Sequence, residues 1–199
     1  DFKVTEEGVD QKIVTFERGD VPLTSVLLLD CSLSMTGEPL EAALEGASLF
    51  LEGMTEYDQT MLMLYSDRLL RASEFDGDPE SLRAVLEGVD ANGGTAVNDH
   101  LYLALKKLDP RQGRSVVVLF SDGTDVHSVL EMAEVAEKVR RSQALIYWIY
   151  LRLRPGEAVD KVPSHMATWR DLDATQKEFR QLRSAVEESG GRVQVVDHL

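Results

Sequence analysis

The most informative segment for predicting the fold is Ser25-Val-Leu-Leu-Leu-Asp30-Cys31-Ser32-Leu33-Ser34. It begins as a continuous apolar run and ends in an aspartate, a pattern typical of a β-strand buried on both faces. Similar runs follow at residues 60–65, 115–120 and 145–151. Strands of this kind occur in parallel sheets that carry helices on each side. We therefore expect an α/β fold.

The segments between these runs have helical spacing or weaker strand character. They predict helices at residues 38–54, 79–89, 95–108, 126–141 and 172–189, a more exposed strand at 68–75 and a last strand at 192–196. Buried strands that alternate with helices indicate a Rossmann-like, doubly wound, mostly parallel sheet of six strands flanked by helices.

A short lead-in precedes this pattern. Residues 2–4 and 11–16, separated by the turn Glu6-Glu7-Gly8, predict a β-hairpin. We therefore expect an N-terminal hairpin extension over residues 1–20 and one α/β domain over residues 21–199, which suits a chain of 199 residues. The longest connection is residues 154–171.

Charge and composition exclude several classes of function. The net charge is −14, from 21 basic and 35 acidic side chains, so we expect neither sequence-independent nucleic-acid binding nor docking on an anionic membrane. No apolar run reaches the length of a membrane span. The single cysteine, Cys31, cannot form an internal disulfide, and we expect it to be a small buried apolar residue.

Ligands of doubly wound folds bind outside the carboxyl ends of the strands, so polar residues there are candidate site residues. Asp30, Ser32 and Ser34 follow the first buried run. Residues two apart in an extended segment point the same way. We expect these three side chains to lie together, with Cys31 and Leu33 turned into the fold.

Two further segments reach the same edge. Asp122 follows the buried run at 115–120, and Thr95, after Gly93-Gly94, opens a predicted helix. Two carboxylates and three hydroxyls form an all-oxygen set, which favours a hard cation: Mg²⁺, with Mn²⁺ or Ca²⁺ as alternatives. Such a cation could keep one coordination position open for a carboxylate from another molecule.

These residues resemble the metal-ion-dependent adhesion site of von Willebrand factor A domains. Asp30-Cys31-Ser32-Leu33-Ser34 is similar to the family motif Asp-x-Ser-x-Ser, Thr95 to the family threonine and Asp122 to its distal aspartate. The resemblance covers about residues 22–197. It implies a von Willebrand factor A fold, a metal bound by those five residues and an extracellular or periplasmic adhesion role.

A narrower resemblance is to the von Willebrand factor A-related proteins of Acidobacteria. It is carried by the lead-in Phe2-x-Val4-x-x-x-Gly8-x-x-Gln11 and by residues 93–101. Two positions depart from the family: Leu33 is commonly glycine and Cys31 commonly threonine or serine. Neither is a metal ligand in the family.

Other interpretations of these residues stay open. Ser32, Ser34 and Thr95 could cap helices, which Ser and Thr favour, and Asp99 could either orient the site or cap and solvate a helix. The four histidines have no ligand spacing and are expected to be surface or core polar residues.

An enzyme is the alternative class of function. A haloacid-dehalogenase-like phosphatase also places an aspartate after its first strand, but it needs a second one where Ser32 stands. No Gly-x-Ser-x-Gly elbow or phosphate-cradling glycine loop is present. An accessory domain of an ATP-driven or metal-inserting complex is a third alternative. We expect a binding module without turnover.

The expected partner is a protein that supplies an Asp or Glu carboxylate to the metal. Residues 154–171 follow a buried strand and should share the metal's edge of the sheet. This segment carries Arg154, Trp169 and Arg170, and Arg and Trp dominate binding hot spots. It could instead pack down as a lid over the sheet edge.

Overall fold

The computed structural model describes residues 4–6, 8–11, 21–152 and 172–197. The strands in these ranges are β1 (Val4–Glu6), β2 (Val9–Gln11), β3 (Leu23–Asp30), β4 (Gln59–Tyr65), β5 (Leu69–Ala72), β6 (Arg114–Ser121), β7 (Leu145–Arg152) and β8 (Arg192–Asp197). The helices are α1 (Glu38–Glu52), α2 (Pro79–Leu86), α3 (Val97–Leu108), α4 (Met132–Arg141) and α5 (Leu172–Glu188), and a 3-10 turn spans Leu33–Met35.

One six-stranded sheet organises the main domain, in the order β5-β4-β3-β6-β7-β8. All neighbours in it are parallel except β4 and β5, which confirms the predicted mostly parallel sheet. The strand order reverses between β3 and β6, and a doubly wound sheet opens a crevice at this point. Leu29 lies opposite Phe120 there, so Asp30 and Ser121 end their strands side by side.

Helices cover both faces of this sheet and enclose two apolar cores. One core packs α3, α4 and α5 against the sheet, through side chains such as Leu101, Val135 and Phe179. The other packs α1 and α2 on the opposite face, through side chains such as Ala47 and Leu82. The buried runs of β3, β4 and β6 contribute to both cores, which is why they are apolar without alternation.

Strand β7 departs from its predicted burial. Ile146, Trp148 and Tyr150 are fully buried under the helices of the first core. Tyr147 and Ile149, which face the other side, are only partly buried at the edge of the second core. The strand is apolar throughout, but it is covered completely on one face alone.

Two helices begin later than predicted. Helix α3 begins at Val97 instead of Thr95, because the chain at 93–96 is used in loop hydrogen bonds. Helix α4 begins at Met132 instead of residue 126, where Glu131 and Glu134 form a capping box. The other helix ends agree with prediction to within three residues.

The N-terminal hairpin forms its own two-stranded sheet, with Val4 opposite Gln11 and Glu6 opposite Val9. The first strand therefore begins at Val4, where the predicted strand ended, and the strands are joined by a shorter turn than the three residues predicted. Gly8 has a φ of +80°, which is why this turn needs glycine. The predicted strand residues 2–3 and 12–16 lie outside the described residues, and the division at residue 20 stays a prediction.

Candidate metal centre

The first segment of the candidate site follows β3. Asp30 is fully buried at the end of the strand, and its Oδ1 accepts a hydrogen bond from the Ser32 backbone N–H at 2.9 Å. Ser32 is also buried, and its Oγ lies 3.1 Å from Ser34 Oγ. The prediction that these three side chains lie together is confirmed.

The direction of Leu33 was predicted wrongly. Cys31 is fully buried as expected, but Leu33 is 64% exposed, and Met35 fills the core instead. The strand ends at Asp30, and the Leu33 N–H bonds the carbonyl of Gly93 as the 3-10 turn begins. A turn of three residues does not keep the two-residue alternation of a strand, so Leu33 faces solvent.

The second segment follows β6 and joins the first through Ser121. The Ser121 hydroxyl donates to Asp30 Oδ2 at 2.7 Å and accepts a hydrogen bond from the Gly123 N–H at 2.9 Å. Asp122 is fully buried, and its Oδ1 accepts from the Thr124 N–H at 2.9 Å. Sequence reasoning missed Ser121, although in-register parallel pairing of the two apolar runs would have placed it beside Asp30.

The third segment, residues 92–96, is fixed by its backbone. Asn92 N–H donates to the Cys31 carbonyl at 2.8 Å, and the Thr95 carbonyl accepts from the N–H groups of Val126 and His127 at 3.0 and 2.9 Å. The side chain of Thr95 is buried. This segment therefore ties the loop after Asp30 to the loop after Asp122.

The alternative that the hydroxyls cap helices is wrong. Ser32 precedes the 3-10 turn but makes no side-chain cap bond, and Ser34 lies inside that turn. The cap of α3 is Ala96, not Thr95, and the cap of α1 is Gly37. None of the three predicted hydroxyls is used to begin a helix.

The glycines before Thr95 have separate roles. Gly93 has a φ of +73°, a backbone conformation that L side chains rarely adopt. Gly94 leaves room for an exposed histidine, because a Cβ built there would lie 2.1 Å from the ring of His127. The two loops thus approach each other more closely than any other residue type at position 94 would allow.

Burial sets the electrostatics of the site. Loss of solvent and, to a smaller extent, the nearby Asp122 carboxylate together raise the pKa of Asp30 from 3.8 to about 7, although hydrogen bonds from Ser32 and Ser121 oppose the shift. No ion pair among the described residues involves Asp30. The site therefore concentrates negative charge that a proton or a cation would neutralise.

Burial also controls Cys31. It raises the pKa of the thiol to about 12, and the nearby Asp30 carboxylate adds to the shift. The thiol stays neutral and lies 3.7 Å from the Leu29 carbonyl oxygen. Cys31 is a packing residue, as expected.

The donor chemistry fits a hard cation. Asp30, Ser32 and Asp122 are oxygen donors that lie close together, with Ser34 and Thr95 on the adjoining loops. A group of three or more His, Cys, Asp or Glu side chains that could hold a metal does not occur in the described ranges. The hydroxyl of Thr124, whose backbone N–H bonds Asp122, is buried and has no hydrogen-bond partner in those ranges.

Two further carboxylates position the loop after Asp122. Asp125 accepts hydrogen bonds from the N–H groups of Asn98 and Ser128, at 2.9 and 3.1 Å. Asp99 accepts from the N–H groups of Val129 and Leu130. Asp99 therefore neither caps α3 nor extends into solvent: it holds loop 126–130 against the start of α3. Asp125 is a positioning residue that sequence reasoning missed.

The two described histidines, His100 and His127, are a core and a surface residue, as predicted. His100 is buried, stacks on Tyr65 with ring centroids 4.7 Å apart, and places Nδ1 2.7 Å from the Ala96 carbonyl oxygen. Burial lowers its pKa. His127 is exposed. His165, His198 and the segment 154–171 with Trp169 lie outside the described residues.

Comparison with known families decides the identity of the fold. Residues 25–124 match the model of the von Willebrand factor type A domain, which is about half of the chain and contains all five candidate ligands.

The chain belongs to the von Willebrand factor type A (VWA) domain family. A curated relative is human inter-alpha-trypsin inhibitor heavy chain H4, 24% identical over 143 residues. The match covers 65% of this chain and 15% of that protein, so the VWA chain spans only a small part of the relative's length. The narrower resemblance to Acidobacteria proteins stays a prediction.

Solved structures show the same fold. BatB, a conserved hypothetical protein from Bacteroides thetaiotaomicron, is 17% identical with a TM-score of 0.64, over 89% of this chain and 91% of that chain. An aerotolerance-related membrane protein from Bacteroides fragilis is 20% identical with a TM-score of 0.61, over 88% and 92% of the two chains. Within the described ranges of the VWA chain, no helix is long and apolar enough to cross a bilayer.

Proposed function

We propose that this VWA domain is a metal-dependent protein-binding module. One divalent hard cation, Mg²⁺ with Mn²⁺ or Ca²⁺ as alternatives, would be held by Asp30, Ser32, Ser34, Thr95 and Asp122. The observation that carries the proposal is the burial of Asp30 and Asp122 together among hydroxyl oxygens at the switch point of the sheet.

The physical argument is the cost of buried charge. Two carboxylates held close together in an apolar interior are unfavourable unless a positive charge accompanies them. The raised pKa of Asp30 means that a proton supplies that charge below about pH 7. A divalent cation would supply it more strongly at neutral pH, which supports binding by a metal.

The proposed partner is a protein that offers an Asp or Glu carboxylate. A bound cation would attract such a group electrostatically through its open coordination position. Exposed apolar side chains on the surrounding loops, Leu33 at 64% and Val129 at 88%, offer contact area beyond the metal. The predicted contribution of Trp169 and Arg170 stays a prediction.

We also propose that the domain has no turnover of its own. Ser32 occupies the position where a haloacid-dehalogenase-like phosphatase needs its acid/base aspartate, and its hydroxyl lies against another hydroxyl, Ser34 Oγ. A metal-dependent phosphatase or esterase activity that disappears in Ser32→Ala would contradict this proposal.

We further propose an extracellular or periplasmic location, from the family resemblance.

Calorimetry tests the metal site. Titration of Mg²⁺ and Mn²⁺ into the domain should give one binding site, and Asp30→Ala should abolish it while the circular dichroism spectrum stays unchanged. Glu45→Ala is the control, because it removes one exposed acidic charge on α1, away from the sheet edge. Unchanged affinity in Asp30→Ala, or equal loss in Glu45→Ala, would overturn the proposal.

A further inference from the structure

Positive charge collects at one end of this acidic chain. Residues 106–114 and 138–144 together contain seven of the 21 basic side chains and one acidic side chain, a net charge of +6 on a molecule of −14. The first segment runs from the last turn of α3 into β6, and the second from the last turn of α4 toward β7. Both lie at the amino edge of the sheet, opposite the candidate metal centre.

A cavity of about 210 Å³ lies between these two segments. This is several times the roughly 30 Å³ that one water molecule occupies in the liquid. Its lining is mainly polar and includes Asp109, Arg111, Ser115, Arg141, Ser142 and Gln143. Two arginines, two serines, a glutamine and one aspartate thus line one space.

The acidic side chain in the lining does not cancel this charge. Asp109 pairs with Lys138, whose side chain is only 14% exposed. Arg141 pairs with Glu137, but both side chains are more than half exposed, and such a pair contributes little. A ligand with stronger charge could displace Glu137 from Arg141 at small cost.

Arg111 is held in place without a carboxylate partner among the described residues. Its guanidinium lies 4.1 Å from the centroid of the Phe75 ring, and Nη1 donates to the neutral Gln59 amide at 3.2 Å. A guanidinium fixed on an aromatic face keeps its remaining donors for a ligand and loses little side-chain entropy on binding.

Helix dipoles explain part of the charge but not all of it. Cations in the last turn complement the carbonyl end of a helix, and this accounts for Lys106 and Lys107 in α3 and for Lys138, Arg140 and Arg141 in α4. Arg111 and Arg114 come after α3 has ended, and Arg114 lies in β6. Arg111 lines the cavity, and its position there has no such explanation.

We propose that this cavity is a binding site for an oxyanion, a phosphate or sulfate group on a small ligand. Arg111, on the segment after α3, and Arg141, at the end of α4, would both donate to the group, and guanidinium donors pair well with tetrahedral oxyanions. The hydroxyls of Ser115 and Ser142 add two more hydrogen-bond donors. A single carboxylate ligand would leave some of these donors without an acceptor. This site is independent of the candidate metal centre.

The test uses the whole chain in EDTA, so that the metal centre takes no part. Inorganic phosphate and sulfate are titrated at constant ionic strength against chloride, and binding is followed by calorimetry and thermal shift. Saturable binding of either is expected. Arg111→Gln and Arg141→Gln should each weaken it at least fivefold, and the double variant should abolish it. Asp30→Ala should bind phosphate as the unchanged chain does, whatever happens to the metal.

Arg180→Gln is the charge-matched control, because Arg180 is exposed on α5 and does not line the cavity. It should leave the affinity unchanged. The proposal is overturned if neither phosphate nor sulfate binds saturably, if acetate alone binds, or if Arg180→Gln weakens binding as much as Arg111→Gln. Circular dichroism of the variants confirms that the fold is intact in each case.

Discussion

The two edges of the same sheet differ in how they handle charge. At the carboxyl edge, Asp30, Asp122 and Asp125 are buried, and each accepts hydrogen bonds from the backbone N–H groups of a loop. At the amino edge, the charged groups are mostly exposed and pair with one another, as Arg140 does with Glu188. One edge is a closed hydrogen-bonded site and the other an open charged surface.

Helix polarity gives this difference its physical reason. Parallel strands joined by helices direct the helix N-termini toward the carboxyl edge and the C-termini toward the amino edge, except for α2, which follows the antiparallel strand β5. Free N–H groups at the first edge favour carboxylates, and free carbonyls at the second favour cations. One topology therefore gives the two edges of the sheet opposite electrostatic preferences, and burial sets the strength of each.

The largest expected effect concerns Asp30→Asn at the buried edge. Because folding raises the pKa of Asp30 from 3.8 to about 7, its contribution to stability is complete below pH 3.8 and is lost as pH rises to about 7. Asparagine cannot ionise. In EDTA at pH 8 the variant should therefore be more stable than the unchanged domain by about 4 kcal/mol, and nearly equal near pH 4.

Urea unfolding at the two pH values measures this difference. Magnesium should then narrow the difference, because saturation at 100 times Kd stabilises the unchanged domain by about 2.7 kcal/mol and leaves Asp30→Asn unaffected. The same stability difference at both pH values would mean that Asp30 does not titrate as its burial requires.

A smaller effect is expected for the positioning carboxylate. Asp125→Ala leaves the N–H groups of Asn98 and Ser128 without their acceptor, which should cost about 2 kcal/mol. Loop 126–130 would loosen, and Mg²⁺ affinity should fall about tenfold, the equivalent of 1.4 kcal/mol.

Asp78→Ala is the matched control, because Asp78 accepts the Glu80 N–H as the cap of α2. It should cost about 1 kcal/mol of stability without changing metal affinity. Equal losses of affinity in Asp125→Ala and Asp78→Ala would show that general destabilisation, and not loop position, weakens the site.

Gly94→Ala tests the contact between the loops. The new Cβ would lie 2.1 Å from the His127 ring, so the exposed ring must move, at a cost of about 1 kcal/mol. In a His127→Ala background the same change should be nearly neutral. A double-mutant cycle by thermal unfolding measures the interaction, and additive effects would contradict the contact.

The smallest effect is expected at the open edge. Glu188→Gln breaks the exposed pair with Arg140, whose side chain is 55% exposed, and should change stability by less than about 0.5 kcal/mol. Chemical denaturation is the measurement. If Glu188→Gln lost as much stability as Asp125→Ala, the amino edge would not differ from the carboxyl edge in the way described.

Much of the candidate site follows from residue types placed at strand ends. The buried runs before Asp30 and Asp122 predict neighbouring parallel strands, and parallel strands bring their carboxyl ends to one edge. Ser121 and Asp125 were missed because nothing in their local sequence separates them from ordinary turn residues. Their roles depend on which strand pairs with which, and on where α3 begins.

Local pattern failed where a long-range hydrogen bond took precedence over it. Thr95 and residues 126–131 have helical spacing, but their backbone groups bond across the loops and to Asp99. Leu33 follows strand alternation in the sequence and turns outward because the Gly93 carbonyl captures its N–H. The spacing of apolar residues in the sequence cannot predict hydrogen bonds between distant segments.

The sequence by itself determined the apolar strands, the helices between them, the mostly parallel sheet and the five oxygen donors at its carboxyl edge. These depend on hydrophobic period and on residue chemistry, which are local properties. Three features are evident only in the folded chain: Asp30 is buried beside Ser121 and Asp122, Leu33 faces solvent, and Arg111 and Arg141 line one cavity. Burial and proximity depend on segments far apart in the chain, and burial is what turns an aspartate into a site with a raised pKa.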